Sequence, residues 1–143
     1  MRFEGTVTIN APRTRVWAML IDSAVFQRLA PTIVTVQELE PQRRFVLEVG
    51  LPFRAEGVTI SAEVIWESVV ANEQLLWSVR LPYSNQKIKS SGEMCLTGLD
   101  QCQIEFWSEI SELPKSLPAP LVHNIATKGI RTFFSNLKTE AEG

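Results

Sequence analysis

Histidine and cysteine are scarce: His123 stands alone, and the cysteines are Cys95 and Cys102. Neither a Cys/His zinc set nor a multi-histidine metal site can be assembled from so few ligands. Two cysteines fit a reducing compartment. No apolar run approaches the roughly 18 residues of a membrane-spanning helix. The opening Met1-Arg2-Phe3-Glu4 lacks the apolar core of a signal peptide, so a cytoplasmic location is expected. Positive charge is not concentrated either, because 14 Lys and Arg against 16 Asp and Glu leave a net charge of -2. Phosphate neutralisation needs a dense basic patch, so no nucleic-acid partner is expected. No glycine-rich phosphate loop follows a strand pattern, no Ser, Cys or Asp sits in a nucleophile elbow, and no carboxylate pair has a defined spacing. Accordingly no cofactor and no catalytic residue is assigned.

What is present is the material of one domain over residues 1–143, with 45% apolar and 21% charged side chains. Its organising stretch is Pro118 to Leu137. Leu121, Val122, Ile125, Ala126, Gly129, Ile130, Phe133, Phe134 and Leu137 recur at helical steps, and Asn124, Lys128, Arg131, Ser135 and Lys138 take the opposite face. Pro118 and Pro120 suit a helix start, where a missing N–H costs nothing. So wide an apolar stripe needs a large surface to lie on.

That surface is supplied upstream. Phe3, Gly5, Val7 and Ile9 alternate with polar residues as in a half-buried strand. Asn10-Ala11-Pro12 reads as a helix opening with Asn10 as cap, and Ser23 to Ala30 makes a second short helix after Asp22. Six strands follow. Their inward faces are Val34 and Val36; Phe45, Leu47 and Val49; Val58 to Trp66; Leu75 to Leu81; Ile88, Met94 and Leu96; and Ile104, Phe106 and Ile110. Short polar turns between them predict an antiparallel meander. Parity requires an odd loop in the last hairpin, such as Gly98-Leu99-Asp100, which sets Lys89 opposite Glu109 and Glu93 opposite Glu105. On the same parity Cys95 points out and Cys102 in, which forbids a disulfide, and Glu48, Glu63 and Glu93 face solvent.

The order strand, two helices, six-stranded meander, long helix resembles the helix-grip fold of the START, birch-pollen-allergen and polyketide-cyclase superfamily, known as SRPBCC. The opening Phe3 to Pro12 with Val16-Trp17 and Asp22 is similar to that superfamily's start. The tail Gly129-Ile130-Arg131-Thr132-Phe133-Phe134-Ser135-Asn136-Leu137 is similar to the end of the superfamily's carbon monoxide dehydrogenase accessory branch. The resemblance implies an α+β fold, a seven-stranded antiparallel sheet wrapped around the C-terminal helix, with a cavity between them.

Whether that space is hollow is open at this stage, because Phe45, Trp66, Trp77, Met94, Phe106 and Phe133 would also serve as ordinary core. Gly129 on the helix, and Ser90, Gly92 and Ser108 on the inward strand faces, favour a cavity because they leave room. The connections after strands three, five and seven (Leu51 to Arg54, Leu81 to Asn85, Leu113 to Pro120) are rich in apolar residues and should share one end, since alternate connections of a meander do. They predict either a mouth rimmed by Phe53, Tyr83 and Leu117 or a cap on the core. Arg54 and Tyr83 are the polar rim candidates, and His123, beside the mouth, is the candidate proton carrier. The expected ligand-binding set is Phe45, Phe53, Arg54, Trp66, Trp77, Tyr83, Met94, Phe106, Ile125, Gly129 and Phe133. Three functions fit: binding of a lipophilic small molecule (lipid, quinone or polyketide-like aromatic), a cyclase or dehydratase acting in the same cavity, or an accessory module docking on a membrane or an enzyme partner.

Overall fold

A computed structural model describes residues 1–50, 59–83 and 85–143. The chain runs β1 (Arg2–Ile9), α1 (Arg13–Leu20), α2 (Ser23–Leu29), β2 (Ile33–Glu40), β3 (Arg44–Gly50), β4 (Thr59–Val70), β5 (Gln74–Tyr83), β6 (Gln86–Thr97), β7 (Cys102–Glu112) and α3 (Ala119–Glu142). Among the described residues the strands form one seven-stranded antiparallel sheet in the order β1-β7-β6-β5-β4-β3-β2. The meander therefore makes neighbours of consecutive strands, while α1 and α2 carry the chain from one edge of the sheet to the other. This is the expected α+β helix-grip architecture, with α3 lying across the inner face. No helix of the described residues is long and apolar enough to cross a membrane.

Local chemistry explains the boundaries. α1 begins after Pro12, whose ring holds φ at -59° and whose ψ of 142° is extended. Asn10 is not the cap that the sequence suggests. Its backbone N–H donates instead to Glu142 Oε2 at 2.8 Å, tying the end of β1 to the end of α3. α2 has a side-chain cap, the Asp22 carboxylate accepting from the Ala24 N–H at 3.0 Å. α3 starts at Ala119, with Pro118 at its cap and Pro120 in its first turn, within the expected stretch. The three turns at the polar end of the sheet each contain one residue with left-handed backbone, Gln42 (φ 54°), Asn72 (φ 65°) and Gly98 (φ 93°). At Gly98 a Cβ would also lie 2.0 Å from the Gln101 carbonyl oxygen, so only glycine fits.

Three details of register differ from expectation. Thr97 pairs with Gln103, leaving a five-residue connection that keeps the predicted parity but lengthens the loop. Glu93 thereby meets Trp107 rather than Glu105, which relieves the like-charge pair, and a further register shift between Lys89 and Ser90 sets Lys89 opposite Glu112 rather than Glu109. In β2 a register shift between Ile33 and Thr35 breaks the alternation, so Ile33 and Val36 face inward while Val34 is 50% exposed. β5 extends to Tyr83, taking Leu81 and Pro82 out of the predicted turn. Cys102 is buried, Cys95 lies on the outer face, and both are free thiols.

The core is unevenly distributed. At the end where α1 meets the C-terminal half of α3, Ile9, Val16, Leu20, Ile104 and Leu137 are at most 1% exposed. A second cluster, Phe45, Leu47, Ala62 and Val64, clothes β3 and β4. Between that cluster and the N-terminal half of α3 the interior is open.

Candidate functional site

A cavity of about 470 Å³ lies between the sheet and α3. Its floor is aromatic. Trp66 and Trp77 oppose each other across β4 and β5, and Phe45 packs on Trp66 with ring centroids 4.6 Å apart. Trp77 also fixes the role of Gly92 opposite it, since a Cβ there would lie 2.2 Å from the indole ring. On strand parity alone Gly92 makes room for a ligand; in the folded chain it makes room for Trp77. The wall toward the packed end is a chain of rings, Phe106 on Phe134 (4.6 Å), Phe134 edge-on to Phe133 (5.2 Å) and Phe133 on Phe26 of α2 (5.4 Å).

The roof is α3, contributing Ile125, Ala126, Gly129 and Ile130. A methyl group on Gly129 would meet no atom within 4 Å, so this glycine borders open space and is not a close-packing site. With no side chain at this position, the space between helix and sheet is left unfilled. α3 makes its backbone approaches to α1, α2 and β1, at the sides of the cavity.

Of the residues expected to bind ligand, Phe45, Trp66, Trp77, Met94, Phe106, Ile125, Gly129 and Phe133 all line this one cavity. Phe53 and Arg54 lie outside the described residues. Tyr83 stands at the end of β5, paired with Gln86, and is not in the described lining. Leu117, which the sequence leaves open between rim and cap, is 6% exposed. Its N–H closes a turn onto the Pro114 carbonyl at 3.0 Å, and its side chain is buried there, as a cap would be. His123 is exposed on α3, with its ring 5.3 Å from Phe3, outside the lining.

Sequence reasoning missed the contribution of α2. Ser23 and Phe26, with Ala30 just past the helix end, all reach the cavity, and their three- and four-residue spacing is the signal that identifies one helix face. It missed Thr32 as well, which precedes β2 and shows no periodicity.

The chemistry of the lining is narrow. Its polar side chains are the hydroxyls of Ser23, Thr32, Ser90 and Ser108 together with two indole N–H groups, and no described lining residue is ionisable. The thiols are ill suited to nucleophilic work. Burial pushes the Cys95 thiol up, reinforced by Glu93 and Glu105, and burial likewise pushes up Cys102, partly offset by Arg13. On the outer face Glu93 accepts from Trp107 Nε1 at 3.1 Å and Arg2 lies 4.8 Å over the Trp107 ring. Among the described residues no three His, Cys, Asp or Glu side chains are gathered as a metal site would require. An apolar chamber with a few neutral hydroxyls suits a hydrophobic ligand.

Sheet, gripping helix and chamber together define a protein of the SRPBCC or START superfamily. More narrowly, residues 1–142 match the family described as polyketide cyclase / dehydrase and lipid transport, and the chain belongs to that family. No curated protein matches the sequence significantly. Among solved structures, a conserved protein from Geobacillus kaustophilus is 12% identical with a TM-score of 0.82, covering 99% of this chain and 95% of that one. A START superfamily protein from Mycobacterium smegmatis is 16% identical with a TM-score of 0.73, covering 99% and 97%. Ara h 8.0201 is 13% identical with a TM-score of 0.78, also covering 99% and 97%. At such identities the likeness is one of fold.

Proposed function

We propose that this protein binds and carries a lipophilic small molecule, of the lipid, quinone or polyketide-like aromatic kind, in the cavity between sheet and α3. The observation that carries the reading is the open space beneath Gly129, in a chamber of about 470 Å³ whose described lining has no ionisable group. That volume falls within the roughly 300–1,000 Å³ of small-molecule sites. Phe45, Trp66, Trp77, Met94, Phe106, Ile125 and Phe133 are the contact surface, and Phe53, Arg54 and Tyr83 are assigned to the rim. The family description, which joins cyclase, dehydrase and lipid transport, supports a hydrophobic ligand in general terms. A cyclase would need a group that moves protons, and the described lining offers only hydroxyls. Binding is therefore the better supported member of the pair.

Gly129→Phe tests it. The ring should fill the chamber and abolish uptake of a neutral fluorescent probe such as Nile red while circular dichroism stays that of the wild type. Uptake that survives this substitution would overturn the assignment. Native mass spectrometry of freshly purified protein should show a co-purifying neutral mass that the variant lacks.

A further inference from the structure

The few polar groups of the chamber are not evenly spread. Ser90 on β6 faces Ile110 across the ladder and Ser108 on β7 faces Gly92, so the two serines are diagonal neighbours on the inner face. Val79, opposite Ser90, and Phe3, opposite Ser108, flank them with apolar surface. Both serines line the cavity, and neither hydroxyl has a hydrogen-bond partner among the described residues. Both residues are half-buried, and neither hydroxyl is among the fully buried, unpartnered polar atoms of the described residues, which are Arg13 Nε and Thr127 Oγ1. A side chain needed only to keep space open would be alanine, which makes the same room with no hydroxyl to desolvate.

We propose that Ser90 and Ser108 form the polar end of the site, and that the ligand is a neutral molecule with an apolar body and an uncharged oxygen function, hydroxyl or carbonyl, seated against them. A hydroxyl both donates and accepts, so the pair serves either function. A carboxylate is disfavoured there, because an anion would leave water with no described cation to replace its hydration. The inference rests on the cavity being a ligand site and adds which end of the ligand is polar and of what charge.

Displacement of bound Nile red from the whole chain by naphthalene, naphthol and naphthoate at neutral pH tests it, since the three share one ring system. Naphthol should bind about tenfold more tightly than naphthalene, the worth of one good neutral hydrogen bond, and naphthoate should be the weakest. In the Ser90→Ala/Ser108→Ala double variant the naphthol advantage should vanish with naphthalene affinity unchanged. Circular dichroism checks the fold, and if the double variant does not fold, Ser108→Ala alone should still halve the advantage or more. Equal affinity of naphthol and naphthalene for the wild type would overturn the polar end while leaving the cavity reading standing. So would an advantage that persists without the serines. Naphthoate binding tightest would overturn the neutral class. Failure of Nile red and of all three compounds to bind would bring down the cavity reading itself.

Discussion

The two halves of α3 lie over the same sheet and do opposite things. In the C-terminal half, Phe134, Leu137 and Ala141 are at most 9% exposed and pack among Ile9, Leu20 and Ile104. The N-terminal half presents Ile125, Ala126 and Gly129 to open space. The packed half joins the chain's extremities, with Asn136 Nδ2 donating to the Leu29 carbonyl at 3.1 Å, Glu142 accepting from Asn10, and Arg28 paired with Glu140. A protein that keeps a chamber open forgoes burial and dispersion there and must gain its stability elsewhere. The filled end supplies it, so the division of labour is spatial.

The comparison is sharpest at Leu137. Fully buried in the filled half, it should lose about 2–5 kcal/mol on substitution to alanine, read by chemical denaturation, with Nile red affinity of the folded fraction unchanged. A loss under about 1 kcal/mol would mean the filled half is not the anchor. Leu117→Ser comes next. As a buried plug it should cost at least about 2 kcal/mol, since it leaves both a void and an unpaired hydroxyl. A neutral result would put Leu117 at the mouth.

Gly129→Ala should go the other way. With no atom within reach of the added methyl, only the gain in helix propensity remains, so stability should rise by roughly 0.5–1 kcal/mol while uptake persists. A fall in stability would show that the space above the floor is already filled. The smallest effect is expected at Glu142. Its carboxyl is held below the usual value of 4.5 chiefly by the Asn10 N–H, with Lys138 assisting. A depressed folded pKa contributes stability that is present above the ordinary value and is lost as pH falls through the folded one. Glu142→Gln should therefore weaken the protein slightly at neutral pH, with the difference closing on acidification below about 4, measured as thermal midpoints across pH.

Much of this division is legible in the order of residues. Parity along the strands puts Phe45, Trp66, Trp77, Met94, Phe106, Ser90 and Ser108 on one face, and helical spacing puts Ile125, Gly129 and Phe133 on the face opposite, because those periods are imposed by backbone geometry. The errors fall where periodicity is interrupted or silent. The shift at the start of β2 moves Val34 outward. The longer final hairpin slides its charges along the strands without changing a face. Leu117 lies in a loop with no period, which leaves rim and cap both open, and it is buried.

By itself, then, the sequence determined the element order, the antiparallel meander, the inward and outward faces and the absence of any dense basic patch, since each follows from local periods and composition. Only the tertiary structure decided which parts of the inner surface touch. Whether Gly92 opens a space or seats Trp77, whether Gly129 packs or borders a void, and whether α2 joins the lining depend on distances between segments far apart in the chain. A hydrophobic period states which way a side chain points and nothing about what it meets, because meeting is set by how far the helix stands from the sheet.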